Sequence, residues 1–177
     1  MSYLKTMLWL VIPVLFSQCT VDEESPAETE VKNGLRPVYL SYDEMRQITS
    51  SGPRALQHPG KIYVRGRFLF INETGQGIHI IDNQNPATPQ NMAFLSIPGN
   101  VDMAVKGNVL YADNTIDLVA LDISNPLEVK LLKRVQNTFP YQSYPSQTGV
   151  QFECADPAKG VVIRWESATL QNPQCYR

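Results

Sequence analysis

"GIHIIDNQNP" (Gly77–Pro86) and "DLVALDISNP" (Asp117–Pro126) are one phrase written twice. In each, an apolar run closes on an aspartate and is followed by D-x-x-N-P. Runs this short and this apolar, from Gly77 to Ile81 and from Asp117 to Leu121, predict strands buried on both faces. The D-x-x-N-P that follows predicts a turn. The side-chain oxygens of Asp82 and Asn85, or of Asp122 and Asn125, can accept nearby backbone N–H groups, and Pro86 or Pro126 stops the ladder.

Outward from these phrases, residues 61–136 divide into two copies. The offset is forty-one residues before a one-residue gap near Gly75 and forty after it. Identities are Val64/Val105, Gly66/Gly107, Leu69/Leu110, Thr74/Thr115, Asp82/Asp122, Asn85/Asn125 and Pro86/Pro126. Most other pairs keep their character, as Arg65/Lys106, Phe70/Tyr111 and Ile81/Leu121 do. Each copy predicts four strands. In the first they fall at Ile62–Arg65, Phe68–Ile71, Gly77–Ile81 and Met92–Ile97. In the second they fall at Asp102–Val105, Val109–Ala112, Asp117–Leu121 and Val129–Val135. Four strands every forty-odd residues is the period of a β-propeller blade. The expected fold is therefore mainly β, with propeller-like antiparallel blades of about four strands.

The two phrases resemble the LVIVD repeat, named for its buried strand and closing aspartate. The lead-in "RPVYLSYDEMRQI" with "PRALQHPGKIYVRGRFLFINE" is similar to secreted lipoproteins that carry this repeat. The resemblance covers roughly residues 35–136. It implies a propeller-like fold displayed at the cell envelope, and it implies no catalytic residue. Closed propellers have at least four blades, and two are visible. Three readings stay open: a truncated propeller, copies that pair with one another, or a degenerate third unit in the last forty residues. An open stack exposes strand edges that invite self-association.

The ends of the chain carry other signals. Lys5 precedes Met7–Phe16, an apolar run of signal-peptide length that Pro13 interrupts and that is too short to span a bilayer. "FSQC" then resembles a bacterial lipobox, despite Gln18 where a small residue is usual. Residues 1–18 are read as a lipoprotein signal peptide and Cys19 as the lipidation site. Acyl chains there would anchor the protein to membrane, at about 0.8 kcal/mol per buried CH₂. The acidic "TVDEESPAETE" opens a flexible tether over residues 19–34. It resembles the export signal of surface-displayed lipoproteins, although a simple periplasmic spacer fits equally. The expected location is the bacterial outer membrane, facing the periplasm or the surface.

Residues 35–60 form a lead-in with one short helix. Ser41 and Glu44 fit a capping box, and Ser50–Pro53 is the predicted stop. Residues 137–177 read as a loop followed by a C-terminal hairpin around Asp156–Gly160, a partial blade. Cys154 and Cys175 are expected to pair in an oxidising compartment.

Few residues suggest chemistry. His58 and His79 are too separated to mark an obvious metal or proton-transfer site, and Asp113 and Asp117 are weak calcium candidates. Phe139, Tyr141, Tyr144 and Trp165 are candidates for an aromatic sugar- or peptide-binding surface, or for packing. The net charge of −2 and pI near 5.7 give no electrostatic footprint for nucleic acid. The expectation is a non-catalytic envelope scaffold, without cofactor, that binds a protein or glycan. The alternative is a fragment of a longer propeller derived from a hydrolase or lyase.

Overall fold

The computed structural model describes residues 30–177. The expected signal peptide (residues 1–18), the expected lipidation site Cys19 and the expected tether as far as residue 29 lie outside the described residues. These residues are mainly β, in three sheets with one short α-helix.

Each repeat folds as an up-and-down meander. The first supplies β3 (Pro59–Arg65), β4 (Phe68–Glu73), β5 (Gly77–Asp82) and β6 (Gln90–Ser96), all antiparallel. The second supplies β7 (Met103–Lys106), β8 (Val109–Asn114), β9 (Asp117–Asp122) and β10 (Lys130–Val135). The two blades pack face to face. Because side chains alternate along a strand, Phe70, Ile78 and Ile80 of the first blade meet Leu110, Ala112, Val119 and Leu121 of the second in one buried cluster. Their first strands are also tied by polar contacts. The Tyr63 hydroxyl donates to the Val105 carbonyl at 2.8 Å, and Arg65 donates to the carbonyls of Gly107 and Ile123 at 2.8 and 3.1 Å. This order and stacking are propeller-like, without a closed barrel.

All of β5 except Asp82 is buried, as its apolar run predicts. In β9, by contrast, Leu118 and Ala120 are only half-buried. The difference comes from what lies behind each blade. Residues 54–58 cover the outer face of the first blade, with the Arg54 guanidinium 4.5 Å above the Phe94 ring and the Gln57 and His58 amides bound to Glu73.

The third sheet corrects the expected division of the chain ends. It is ordered β12-β1-β11-β13, from β1 (Val31–Leu40), β11 (Gln151–Phe152), β12 (Val161–Gln171) and β13 (Cys175–Tyr176). Residues 31–34, assigned by composition to the tether, begin β1. The expected C-terminal hairpin does not form, because β1 lies between β11 and β12. It pairs antiparallel with β12 from Val31↔Gln171 to Leu40↔Val161 and parallel with β11 at Leu35↔Phe152. A ladder of that length satisfies far more backbone groups than the two residues of β11 can offer. Gly34 makes the close approach to β11 feasible, since a Cβ there would sit 2.5 Å from the Gln151 carbonyl oxygen.

The predicted capping box is present. Glu44 N–H donates to Ser41 Oγ at 3.3 Å, and Ser41 N–H donates to the Glu44 carboxylate at 3.2 Å. The helix α1 (Tyr42–Arg46) stops well short of Pro53. Ile48 and Thr49 are poor helix formers. Residues Thr49–Ser51 extend instead as β2, which adds to the outer edge of β6.

Cys154 and Cys175 form the expected disulfide, with Cα atoms 5.3 Å apart and a sequence separation of 21. It fixes β13 to the end of β11. From the loop-closure entropy, the paired substitutions Cys154→Ser and Cys175→Ser should cost about 3 kcal/mol. Denaturant titration with and without reductant measures this, and the double variant should be insensitive to reductant.

Candidate functional site

The turns of the repeat motif use the predicted side chains in the same way twice. Asp82 Oδ1 accepts from Gln84 N at 3.0 Å, and Asn85 Oδ1 from Ala87 N at 3.2 Å. Asp122 Oδ1 accepts from Ser124 N at 2.8 Å, and Asn125 Oδ1 from Leu127 N at 3.2 Å. Pro86 and Pro126 follow these asparagines, where no N–H is needed. The oxygens are committed to local amides, so these positions shape the blade ends.

The two weak metal candidates are likewise committed to N–H donors. Asp113 Oδ1 accepts from Asn100 Nδ2 and from the amides of Val101 and Asp102, each within 2.8–2.9 Å. Asn100 Oδ1 in turn accepts from Asn72 Nδ2 at 2.6 Å, so a buried polar chain joins the two blades. Asp117 is fully buried. It accepts from Arg46 Nε and Arg134 Nη1, both at 3.0 Å, and from Asn137 N at 3.0 Å. Burial opposes its charge, but these three donors outweigh that penalty and hold its carboxyl below the usual range. Among the described residues no group of three or more histidine, cysteine or carboxylate side chains is placed to hold a metal.

Three of the four candidate aromatics converge. Phe139, Tyr141 and Trp165 line a cleft of about 730 Å³ between the third sheet and the β4–β5 and β8–β9 turns. Trp165 is held edge-on by Phe152, with centroids 5.4 Å apart. Its shielded indole N–H has no partner among the described residues. The Tyr141 hydroxyl donates to the Gly160 carbonyl at 3.0 Å, and burial pushes its pKa up to about 12, so it is a neutral phenol at ordinary pH. Gln142, Gln147 and Arg164 add polar groups to the rim. Tyr144 does not line the cleft; it stacks under the Arg177 guanidinium, 4.2 Å from the ring centre.

Sequence reasoning missed the polar cluster behind the first blade, where both histidines converge on one acid. Glu73 and His79 are buried, and His79 Nε2 lies 3.0 Å from Glu73 Oε2. Glu73 also accepts from the Gln57 amide at 3.1 Å and from the His58 amide, while His58 Nδ1 stands 3.7 Å away. Burial works against the Glu73 charge, yet the hydrogen bonds prevail and keep its carboxyl below its ordinary 4.5. The signal was in the repeat alignment. Glu73 stands opposite Asn114, and His79 opposite Val119. A polar residue in one copy against an apolar one in the other marks a locally special face.

Residues 59–94 and 99–137 match the LVIVD repeat. No curated protein matches the chain. No solved structure matches it.

Proposed function

We propose that the two adjacent LVIVD repeats, folded as stacked blades, are the scaffold of a non-catalytic lipoprotein of the bacterial outer membrane, anchored through lipid on Cys19, that binds a glycan in the aromatic cleft. One observation carries the reading: Phe139 and Tyr141 from the loop and Trp165 from β12 meet in one cleft whose rim bears amide and guanidinium groups. Flat rings offer apolar faces to the C–H surfaces of a sugar, and amides match its hydroxyls. The non-catalytic part is supported by the commitments of the nearby ionisable groups. The Asp113 oxygen is taken by three N–H donors, and Tyr141 holds its proton.

Calorimetric titration of the protein with soluble oligosaccharides derived from peptidoglycan and surface polysaccharides tests the binding. Phe139 is exposed at the cleft, so Phe139→Ala should leave the melting temperature unchanged and weaken a bound oligosaccharide about tenfold, the scale of one aromatic stacking contact. Turnover of any of these sugars, or affinity indifferent to Phe139→Ala, would count against the reading. For the anchor, metabolic labelling with an alkynyl fatty acid should mark the protein and fail for Cys19→Ala.

A further inference from the structure

The outer strands of the two blades are equivalent, but only one is covered. In the first blade, β2 lies antiparallel on β6, with Thr49 opposite Ser96, Ser50 opposite Leu95 and Ser51 opposite Phe94. In the second, β10 pairs with β9 on one side and, among the described residues, has no strand on the other. The two edges share even their irregularity. The ladder slips by one residue at Met92 in β6 and at Leu132 in β10, forty positions apart.

The uncovered edge is both apolar and basic. Leu131, Leu132 and Val135 are 50%, 56% and 45% exposed. Lys130 and Lys133 are exposed, and neither forms an ion pair among the described residues. Lys130 exerts only a longer-range pull on Asp122. An edge strand with free N–H and C=O groups is a template for another strand. Antiparallel pairing of β10 with β10 of a second copy would set lysines against lysines, and like charges opposite one another disfavour that arrangement. A strand with acidic side chains meets the same edge with opposite charge.

We propose that β10 is a docking edge for an extended acidic segment of a partner protein, laid antiparallel along Lys130–Val135, on the edge equivalent to the one where β2 lies on β6. The partner's backbone completes the ladder. Its carboxylates meet Lys130 and Lys133, and its alternate apolar side chains cover Leu131, Leu132 and Val135. This edge is separate from the cleft, so its failure and the failure of glycan binding are read independently.

Fluorescence anisotropy of the full chain with two labelled peptides, EVEVEV and KVKVKV, tests this. The acidic peptide should bind at least tenfold more tightly than the basic one. In the double variant Lys130→Glu with Lys133→Glu, whose side chains are exposed, the preference should reverse with no change in melting temperature. N-methylation of alternate residues of EVEVEV on its pairing edge should abolish binding, which separates strand pairing from simple charge attraction. Equal binding of both peptides, or retained binding after N-methylation, overturns the proposal. So does tighter binding of a synthetic peptide of residues 20–30, which would give the edge to the acidic stretch of this chain. A sedimentation dimer of the unliganded chain that the acidic peptide cannot dissolve would give it to a second copy and equally overturn it.

Discussion

Asp117→Ala is expected to lower the free energy of unfolding by about 4 kcal/mol, within the 3–5 kcal/mol typical of breaking a buried ion pair. The carboxylate holds three separate parts of the chain. It receives Arg46 from the lead-in helix, Arg134 from β10 and the Asn137 amide at the start of the long loop. Arg134 spreads the linkage further, donating to Asn114 Oδ1 at 2.6 Å and to the Arg46 carbonyl at 2.9 Å. Removing the acid leaves two guanidinium groups facing a site from which water is largely excluded, with no counter-charge. Asp117→Asn keeps the shape and an acceptor oxygen, and should lose roughly half as much. Urea titrations at pH 7 should show a lower midpoint at unchanged slope for both variants. A loss below about 1 kcal/mol in Asp117→Ala would mean the arginines find other partners at little cost.

Glu73→Ala should be nearly as damaging, at about 4 kcal/mol, because it strips the acceptor from the Gln57 and His58 amides and from His79 at 1–3 kcal/mol per orphaned donor. The expected consequence is local as well as global. Residues 54–58 should lose their hold on the first blade, with faster hydrogen exchange at Gln57 and His58 than elsewhere. The pH dependence has a definite sign. The folded pKa of Glu73 lies below its ordinary 4.5, so the stabilisation it supplies is full above that value and is lost as the pH falls through the folded pKa. The stability difference between the wild type and Glu73→Gln should therefore shrink as the pH falls below about 5. A difference that grows below that pH would contradict this assignment.

The repeat was legible because its information is local. Strand runs, the Asx turns at Asp82 and Asp122, and the capping box at Ser41 and Glu44 all depend on residues within a few positions of one another. The disulfide was legible from composition, since two of the three cysteines lie in the last stretch of the chain. Parts of the cleft were legible too: its aromatics could be nominated from sequence. What assembled Phe139, Tyr141 and Trp165 while leaving out Tyr144 was the path of β12 beside the second blade. The Glu73–His79 pair escaped notice because a buried polar pair on one strand pair resembles ordinary strand residues until its cover is known.

By itself, then, the sequence determined the two blades, their strand order and the chemistry of their turns, all set by patterning of period two and by short-range hydrogen bonding. Only the tertiary structure decided how the ends of the described chain are used. Val31–Leu40 pairs with Val161–Gln171 across more than a hundred residues, and no local pattern encodes so distant a ladder. The same long-range choice parts β11 from β12, and the packing of the lead-in sets β2 on one blade edge while the other stays open. The physical reason is common to all three: a strand's propensity is local, but the identity of its partner is settled by which edge and which apolar face remain to be covered.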